Sequence, residues 1–588
     1  MLKIFKNFTK KEWILIFISF CFIFAQVWLE LKIPDYMSEI TKLVQTEGSK
    51  MRDILINGGY MLLCAFGSLI AAVLVGYFIS YISANLSKTL RRKLFRKVES
   101  LSIHEVKQFS PDSLITRTTN DITQIEMFVG MGLQLLIKAP ITAIWAITKI
   151  ANKSWQWSVV TGISVVIVLS VVSILMIIVV PKFKLIQKLI DKLNLVTREN
   201  LSGIRVVRAF NAECYQTDKF EGVNSNLTNI QMFNQKAFAI MSPMMFLVMH
   251  MMTLAIFYIG AYLIDGALMV DKISIFGDMI VFSSYSTQII MSFLLLAMIF
   301  MIMPRAGVSA KRINEVLDTE ISVIDGTVTK HQTEERGKVE FKNVSFKYPD
   351  AEEYLLKDIS FTANKGETVA FIGSTGSGKS TLIHLIPRFY DVTDGEVLID
   401  GVNVKDYKES FLHNLIGYVP QKAVMFQGTI KDNIAYGKGS SKVSIDAVKK
   451  AIKIAQANDF VDKMDKKEKS FVASAGTNIS GGQKQRLSIA RAIARNPEFY
   501  IFDDSFSALD YKTDATLRKE LKKHTKDATT FIVAQRIGTI LNADKIIVLD
   551  QGKCVGMGTH KELLKKCPIY KQIALSQLSK EELDHEGR

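Results

Sequence analysis

Cysteine is scarce in this chain. Its 588 residues hold five, Cys21, Cys64, Cys214, Cys554 and Cys567, an odd number at wide spacing with no Cys-x-x-Cys pair. That pattern implies neither a disulfide framework nor a zinc site. Charge is also sparse, at 22% of residues, and acid falls short of base, with 57 Asp and Glu against 73 Lys and Arg. Hydrophobic residues reach 48% and the mean hydropathy is +0.19, which excludes disorder, collagen and a small secreted module. What remains is a net charge of +16 on an apolar chain. Nucleic acid would account for the charge only with a basic patch interleaved with aromatics on a recognisable module. None is found, so no nucleic-acid partner is expected. A membrane protein with basic cytoplasmic loops fits. The length calls for at least two domains.

The apolar residues are concentrated in the first 304. Ile54–Ser87, Ser154–Pro181 and Met279–Pro304 carry no charge, and Ala237–Ile264 is interrupted only by His250. A bilayer needs about 20 apolar residues, so each can span. Trp13–Leu29 and Gln134–Thr148, which contains Lys138, are weaker spans that bring the count to six. The basic start (Lys3, Lys6, Lys10, Lys11) lacks a following small-residue cleavage site, so a retained first helix is expected. Lys88, Arg91, Arg92, Lys93, Arg96 and Lys97 follow span 2, and Lys182, Lys184, Lys188, Lys192, Arg198, Arg205 and Arg208 follow span 4. Cation-rich loops stay in the cytoplasm, as must everything after the sixth span. Apolar residues at helical spacing (Leu90, Leu94, Val98, Leu101) predict that these loops continue the helices, with polar breaks at Phe109–Ser113 and Asn211–Thr217. Residues 305–337, including a charged helix at Lys311–Asp318, form a linker. From 338 to 588, short β-branched strands alternating with helices predict an α/β domain.

Within that second half, Thr368-Val-Ala-Phe-Ile372 runs into Gly373-Ser374-Thr375-Gly376-Ser377-Gly378-Lys379-Ser380-Thr381 and an apolar helical run. This is GxxxxGK[ST] in its required strand–loop–helix context. Its glycines let successive N–H groups point at one phosphate, Lys379 reaches the β- and γ-phosphates of ATP, and Ser380 can ligate Mg²⁺. A second apolar strand, Phe499–Phe502, ends in Asp503-Asp504, where a carboxylate partner for Mg²⁺ belongs. Between them, Ser480-Gly481-Gly482-Gln483 opens a helix and forms a second anion-binding terminus. A head-to-tail dimer would use both termini, each nucleotide clamped between the phosphate loop of one chain and the Ser-Gly-Gly turn of the other.

These motifs resemble an ATP-binding-cassette nucleotide-binding domain, and nearly the whole chain resembles a half-size ABC exporter of the type IV multidrug class. The resemblance implies a helical six-span transmembrane domain over 1–304 and a nucleotide-binding domain over 338–588. It implies that Tyr348 stacks on adenine, that Gly373 to Thr381 form the Walker A loop, and that Asp503 is the Walker B aspartate. Gln421 is implied to touch Mg²⁺ and couple to the membrane domain, Ser480 to Gln483 to be the signature, and Ser507-Ala-Leu-Asp510 the D-loop. The two polar breaks fall where the family has its coupling helices.

Two departures stand out. Hydrolysing members of the family carry Glu after the Walker B Asp and His in the switch loop; this chain has Asp504 and Gln535. A carboxylate one methylene shorter sits back by about one C–C bond, ~1.5 Å, and a misplacement near 1 Å can cost about a hundredfold. Gln535 can donate a hydrogen bond but cannot titrate as imidazole does. With the signature nearly intact, the chain resembles the degenerate-Walker subunit of a heterodimer whose second half-transporter completes the efficient site. The expected cargo is hydrophobic or amphipathic small molecules, with lipid or peptide as the runner-up and an ATP-gated channel or regulatory subunit as the rival class. A soluble ATPase is excluded by the six spans. Met244, Met245, Met249, Met252, Met291, Met298 and Met301 suit an adaptable lining or ordinary packing. His250 is an intramembrane candidate. Lys138 is expected to snorkel at the cytoplasmic edge of span 3.

Overall fold

The computed structural model describes all residues except 1, 47, 152, 438–442 and 578–588, and only the backbone at 2, 184, 187, 269, 270, 300 and 301. The last residues of the expected nucleotide-binding domain and the side chain of Met301 therefore lie outside it. The chain divides into two compact units, Met1–Glu99 with Ser110–Thr319, and Ser100–Phe109 with Glu320–Arg588.

Among its described residues the first unit holds six helices long and apolar enough to cross a membrane: Lys10–Gln45, Met51–Ser100, Pro111–Ala151, Trp155–Ser202, Glu213–Asp265 and Asp271–Asp318. Both weak spans are among them. The first starts at a reciprocal cap in which Glu12 N–H donates to Thr9 Oγ1 and Thr9 N–H donates to the Glu12 carboxylate. Helices of 48 to 53 residues (spans 2, 4, 5 and 6) reach ~75 Å, more than twice the ~30 Å hydrocarbon layer, so they project well into the cytoplasm. Span 3 is built of pieces, Pro111–Thr118, Asn120–Met127, a wider π turn at Phe128–Gly132 and Leu133–Ala151, which is why its apolar signal is short. Span 6 runs unbroken through Pro304 and carries the charged helix expected at Lys311–Asp318. Ile23, Val27, Val75, Ile79, Ala146, Trp157, Ile256 and Phe282 form the helical core.

The second unit carries twelve strands among its described residues: β1 (Val339–Phe346), β2 (Leu356–Ala363), β3 (Thr368–Gly373), β4 (Asp394–Ile399), β5 (Val402–Asn403), β6 (Ile416–Val419), β7 (Gly428–Thr429), β8 (Phe471–Val472), β9 (Phe499–Asp503), β10 (Thr529–Val533), β11 (Lys545–Asp550) and β12 (Lys553–Gly558). They form a four-stranded antiparallel sheet ordered β2-β1-β4-β5, a six-stranded sheet ordered β12-β11-β3-β10-β9-β6, and the β7-β8 ribbon. In the larger sheet β11, β3, β10, β9 and β6 run parallel, and β9 and β10 are buried at every residue. Burial on both faces explains their unbroken apolar runs. The parallel register brings the ends of β3, β10 and β9 to one edge of the sheet, with Val533 beside both Phe371 and Asp503. Crevices at the carboxyl ends of such strands are where ligands bind.

Candidate functional site

Three of the expected segments leave that edge side by side: the loop after β3, Asp503-Asp504 closing β9, and Ala534-Gln535 after β10. Gly378 stands in the left-handed region (φ 94°) before the helix Lys379–His384. A Cβ there would lie 2.5 Å from Leu356 Cδ2 as well, so glycine is required twice over. Ser374, Thr375 and Gly376 are exposed, while Ser377 and Lys379 are buried. Lys379 Nζ donates to the carbonyls of Gly373 (2.9 Å) and Ser374 (2.7 Å), so the ammonium is held at the mouth of the loop. Burial lowers its pKa, against the opposing pull of Asp504 and Asp503.

Ser380 Oγ donates to Asp503 Oδ1 at 2.7 Å. Two oxygens expected to share Mg²⁺ are thus already adjacent, with Asp503 buried and His384 Nε2 3.6 Å from its other oxygen. Asp504 has a different environment. Its Oδ2 accepts from Gln535 Nε2 at 2.8 Å and from Gln421 Nε2 at 3.3 Å, and its backbone adopts φ 46°. Burial raises its pKa; hydrogen bonds from Gln421 and Ser507 and the charge of Lys379 oppose that rise, and Asp503 adds to it. The side-chain amides of Gln535 and Gln421 therefore converge on one carboxylate oxygen.

Tyr348 hydrogen-bonds through its hydroxyl to Thr381 Oγ1 (2.9 Å) and meets Phe346 and Tyr390 edge-on. Lys107, from the short helix Ile103–Gln108, lies 5.9 Å from the Tyr348 ring and donates to Tyr390 Oη at 3.1 Å. Neither Lys107 nor Tyr390 was expected at this site. The short helix lies just before the predicted break at Phe109–Ser113, and its signal was present as Ser102-x-x-Glu105, a capping box. Near the second break, the short helix is Ile204–Ala209, and Glu213 already begins span 5.

Ser480 caps the helix Gly481–Ala494. Its hydroxyl accepts from Gln483 N–H (3.4 Å) and its N–H donates to Gln483 Oε1 (2.9 Å). Ser480 and Gly481 are exposed, and a Cβ on Gly482 would approach the Ala508 carbonyl at 3.3 Å, which places the signature turn beside the D-loop. Asp510 caps the next helix, Tyr511–His524, by accepting from Thr513 N–H at 3.0 Å. No hydrogen bond or ion pair among the described residues joins 480–483 to 373–381. The signature helix packs in a core with Leu487 and Ile489, the phosphate-loop helix in another with Leu382 and Ile383.

The sequence profile of the ABC transporter matches residues 356–507, and that of the ABC transporter transmembrane region matches 16–322. The chain belongs to the ABC transporter family. It is 40% identical over 525 residues to an uncharacterised ABC transporter ATP-binding protein of Mycobacterium tuberculosis, spanning 88% of this chain and 87% of that one. An ATP-dependent lipid A-core flippase of Pseudomonas putida is 32% identical over 84% of this chain and 81% of its own. The fold matches a bacterial Atm1-family ABC exporter with ATP bound at a TM-score of 0.82, with 22% identity, 97% of this chain and 100% of that one covered. As an ABC transporter, the protein is a multi-pass cell-membrane ATPase whose cytoplasmic nucleotide-binding domain drives transport.

In the membrane unit, Lys138 does not snorkel. Its Nζ pairs with Glu30 Oε1 at 2.9 Å, a carboxylate that also accepts from Gln26 Nε2 and Ser68 Oγ. Met245 and Met252 are buried packing residues, Met291 lines a cavity, and His250 is exposed with its ring stacked on Phe246.

Proposed function

We propose that this exporter subunit is the weakly hydrolysing half of a heterodimer that moves amphipathic or hydrophobic compounds of the multidrug type outward. The observation that carries the asymmetry is the capture of Asp504 Oδ2 by Gln421 and Gln535. A general base must reach the proton it abstracts. Asp504 is one methylene short and its oxygen is occupied by two amides, one of them standing where hydrolysing relatives carry His. The phosphate-loop half of the site is otherwise complete. Lys379 and the loop amides bind the phosphates, and Tyr348 takes the adenine. Ser380, Asp503 and Gln421 supply the hard oxygen ligands that suit Mg²⁺, which neutralises phosphate charge when bound. Ser480 to Gln483 present an exposed, capped helix start that serves the partner's nucleotide, with Asp510 ordering the D-loop beside it.

Cargo of mixed polarity is supported by a cavity of about 340 Å³ between spans 1, 3 and 6, lined by Glu30, Lys138, Thr142, Gln288, Met291 and Leu295. A second reading, a lipid as cargo, is favoured by the similarity to lipid A-core flippases. Purification of the chain alone and with a co-expressed second half-transporter tests the asymmetry. The chain alone is expected to retain ATP with little turnover, and the partner to restore it; brisk hydrolysis by the chain alone refutes the heterodimer. Dye accumulation in inverted vesicles tests the cargo, and flipping of a labelled lipid without dye transport would favour the second reading.

A further inference from the structure

At the end of β9 opposite Asp503, three side chains from distant parts of the sequence converge. His331 lies in the segment that follows span 6, Asp400 in the turn between β4 and β5, and Glu498 immediately before β9. One donor atom from each lies within 4.8 Å of the other two. His331 Nδ1 is 3.5 Å from Asp400 Oδ2, and its Nε2 is 3.1 Å from Glu498 Oε1. Asp400 is 2% exposed, and its Oδ2 has no hydrogen-bond partner; neither does His331 Nδ1 or Glu498 Oε2. The other Asp400 oxygen is taken by the Lys338 N–H at 3.0 Å, which leaves Oδ2 facing the cluster. Phe411 meets the imidazole edge-on at 5.4 Å and holds its plane.

Among the described residues, His331 is the sole ion-pair partner of either carboxylate. Two carboxylates share one imidazole, no lysine or arginine among the described residues pairs with either, and three buried atoms lack a hydrogen bond, so the cluster forms a place that wants a cation. The donor set selects its class. One imidazole nitrogen with two carboxylate oxygens suits first-row transition ions, zinc above all, whereas Mg²⁺ prefers oxygen and water. Bonds of ~2.0–2.2 Å set the edge between two tetrahedral ligands at about 3.4 Å, close to the 3.1 Å between Nε2 and Oε1. Binding would require the partly exposed Glu498 carboxylate to turn inward from the 4.8 Å outer limit.

We propose that His331, Asp400 and Glu498 bind a divalent transition-metal ion that fastens the post-span-6 segment to the base of β9. That segment is also pinned by Val328, whose N–H donates to the Asp406 carbonyl and whose carbonyl accepts from Lys408 N–H, and by Thr333, whose hydroxyl donates to the Asp400 carbonyl at 2.9 Å. Bound there, the ion would hold the near end of the strand whose far end presents Asp503.

The test uses the full-length protein with a histidine-free tag, stripped of metal by a chelator and kept free of nucleotide and Mg²⁺. Zinc is titrated against a competing indicator dye, and bound metal is counted by mass spectrometry. One tight zinc per chain is expected, with a zinc-dependent rise in melting temperature. His331→Ala and Glu498→Gln should each weaken binding by more than roughly 100-fold, beyond what losing an outer-shell partner costs, and should abolish the melting shift. His331 is partly exposed, so its variant keeps the test available if a change at buried Asp400 prevents folding. Zinc retained equally by wild type and both variants would overturn the proposal. So would Mg²⁺ competing at equal concentration, or a pH-dependent melting difference in His331→Ala with no zinc effect, which would make the cluster a proton site.

Discussion

Replacing Asp504 with alanine separates a working base from a vestigial one. A positioned general base contributes about 10²–10⁴ in rate. Here the carboxylate is short by ~1.5 Å, one C–C bond, and its Oδ2 is held at 2.8 Å by Gln535 and 3.3 Å by Gln421. Releasing that oxygen toward a water breaks two side-chain hydrogen bonds at ~0.5–1.5 kcal/mol each, together ~1–3 kcal/mol. Together with a positional penalty of about a hundredfold, little of the base's contribution survives. Asp504→Ala in the assembled dimer is therefore expected to lower steady-state ATPase activity by no more than about threefold. Truncating the glutamate that the proposed partner would carry at this position should cost a hundredfold or more. Both variants are measured in nanodiscs at saturating Mg-ATP. A loss beyond about thirtyfold for Asp504→Ala would mean that this carboxylate is a competent base. The same result with the chain alone would mean a homodimer.

Ser480→Arg is expected to abolish most ATPase and transport activity, and Ser480→Asn, which caps a helix as well as serine, to lose most hydrolysis too; full activity in the asparagine variant reduces Ser480 to a cap. Lys379→Ala should weaken nucleotide retention at this chain's own loop while lowering turnover less than the same change in the partner, and equal losses would contradict the asymmetry. Lys107→Met removes a cation over Tyr348, worth ~0.5–1 kcal/mol at an exposed site, so a fluorescent ATP analogue should bind two- to fivefold more weakly; unchanged binding would disconnect Lys107 from the nucleotide. Burial raises the Asp504 pKa, so the folded state holds this proton more tightly than the unfolded state. Its stabilising contribution is present below the ordinary carboxylate range and is lost as pH rises through the raised value. Asp504→Asn, neutral throughout and still able to accept from both amides, should melt higher than wild type near pH 7 without nucleotide, the gap shrinking toward pH 5. A gap independent of pH would refute the assignment.

Six spans, their orientation and the phosphate loop were legible because each rests on local sequence: length without charge, cation-rich flanks, a strand–loop–helix motif. The departures at Asp504 and Gln535 were legible as substitutions. Their meeting on one oxygen was not, because it depends on parallel β9 and β10 and on the loop after β6, which no spacing encodes. The Glu30–Lys138 pair escaped notice for a similar reason, since its members sit on different spans and Lys138 alone reads as an interfacial cation. His331, Asp400 and Glu498 share no motif at all. The short helix Ile103–Gln108 lies just before the polar break at Phe109–Ser113, and its local signal is the capping box at Ser102 and Glu105 rather than the break.

Glu105 explains why that segment belongs to the nucleotide-binding unit. Burial pushes its carboxyl up, but hydrogen bonds from Ser102 and Ser322 outweigh this and hold it below the usual range, so it is ionised at neutral pH. It accepts from Ser102 N–H at 2.7 Å to start its own helix and from Ser322 N–H at 3.3 Å in the segment after span 6. One buried charge therefore ties the connection between spans 2 and 3 to the chain leaving span 6. Two residues along, Lys107 reaches Tyr348 and Tyr390. Any shift of Tyr348, as the proposed adenine contact would require, must displace Lys107 or break a contact with it. A helix of six residues fixed at its start by Glu105 cannot absorb that shift internally. On the proposed reading, in which Tyr348 takes the adenine, occupancy of the site rather than hydrolysis is the event that the Lys107 contacts would sense, and a site with a restrained Asp504 could still perform that task.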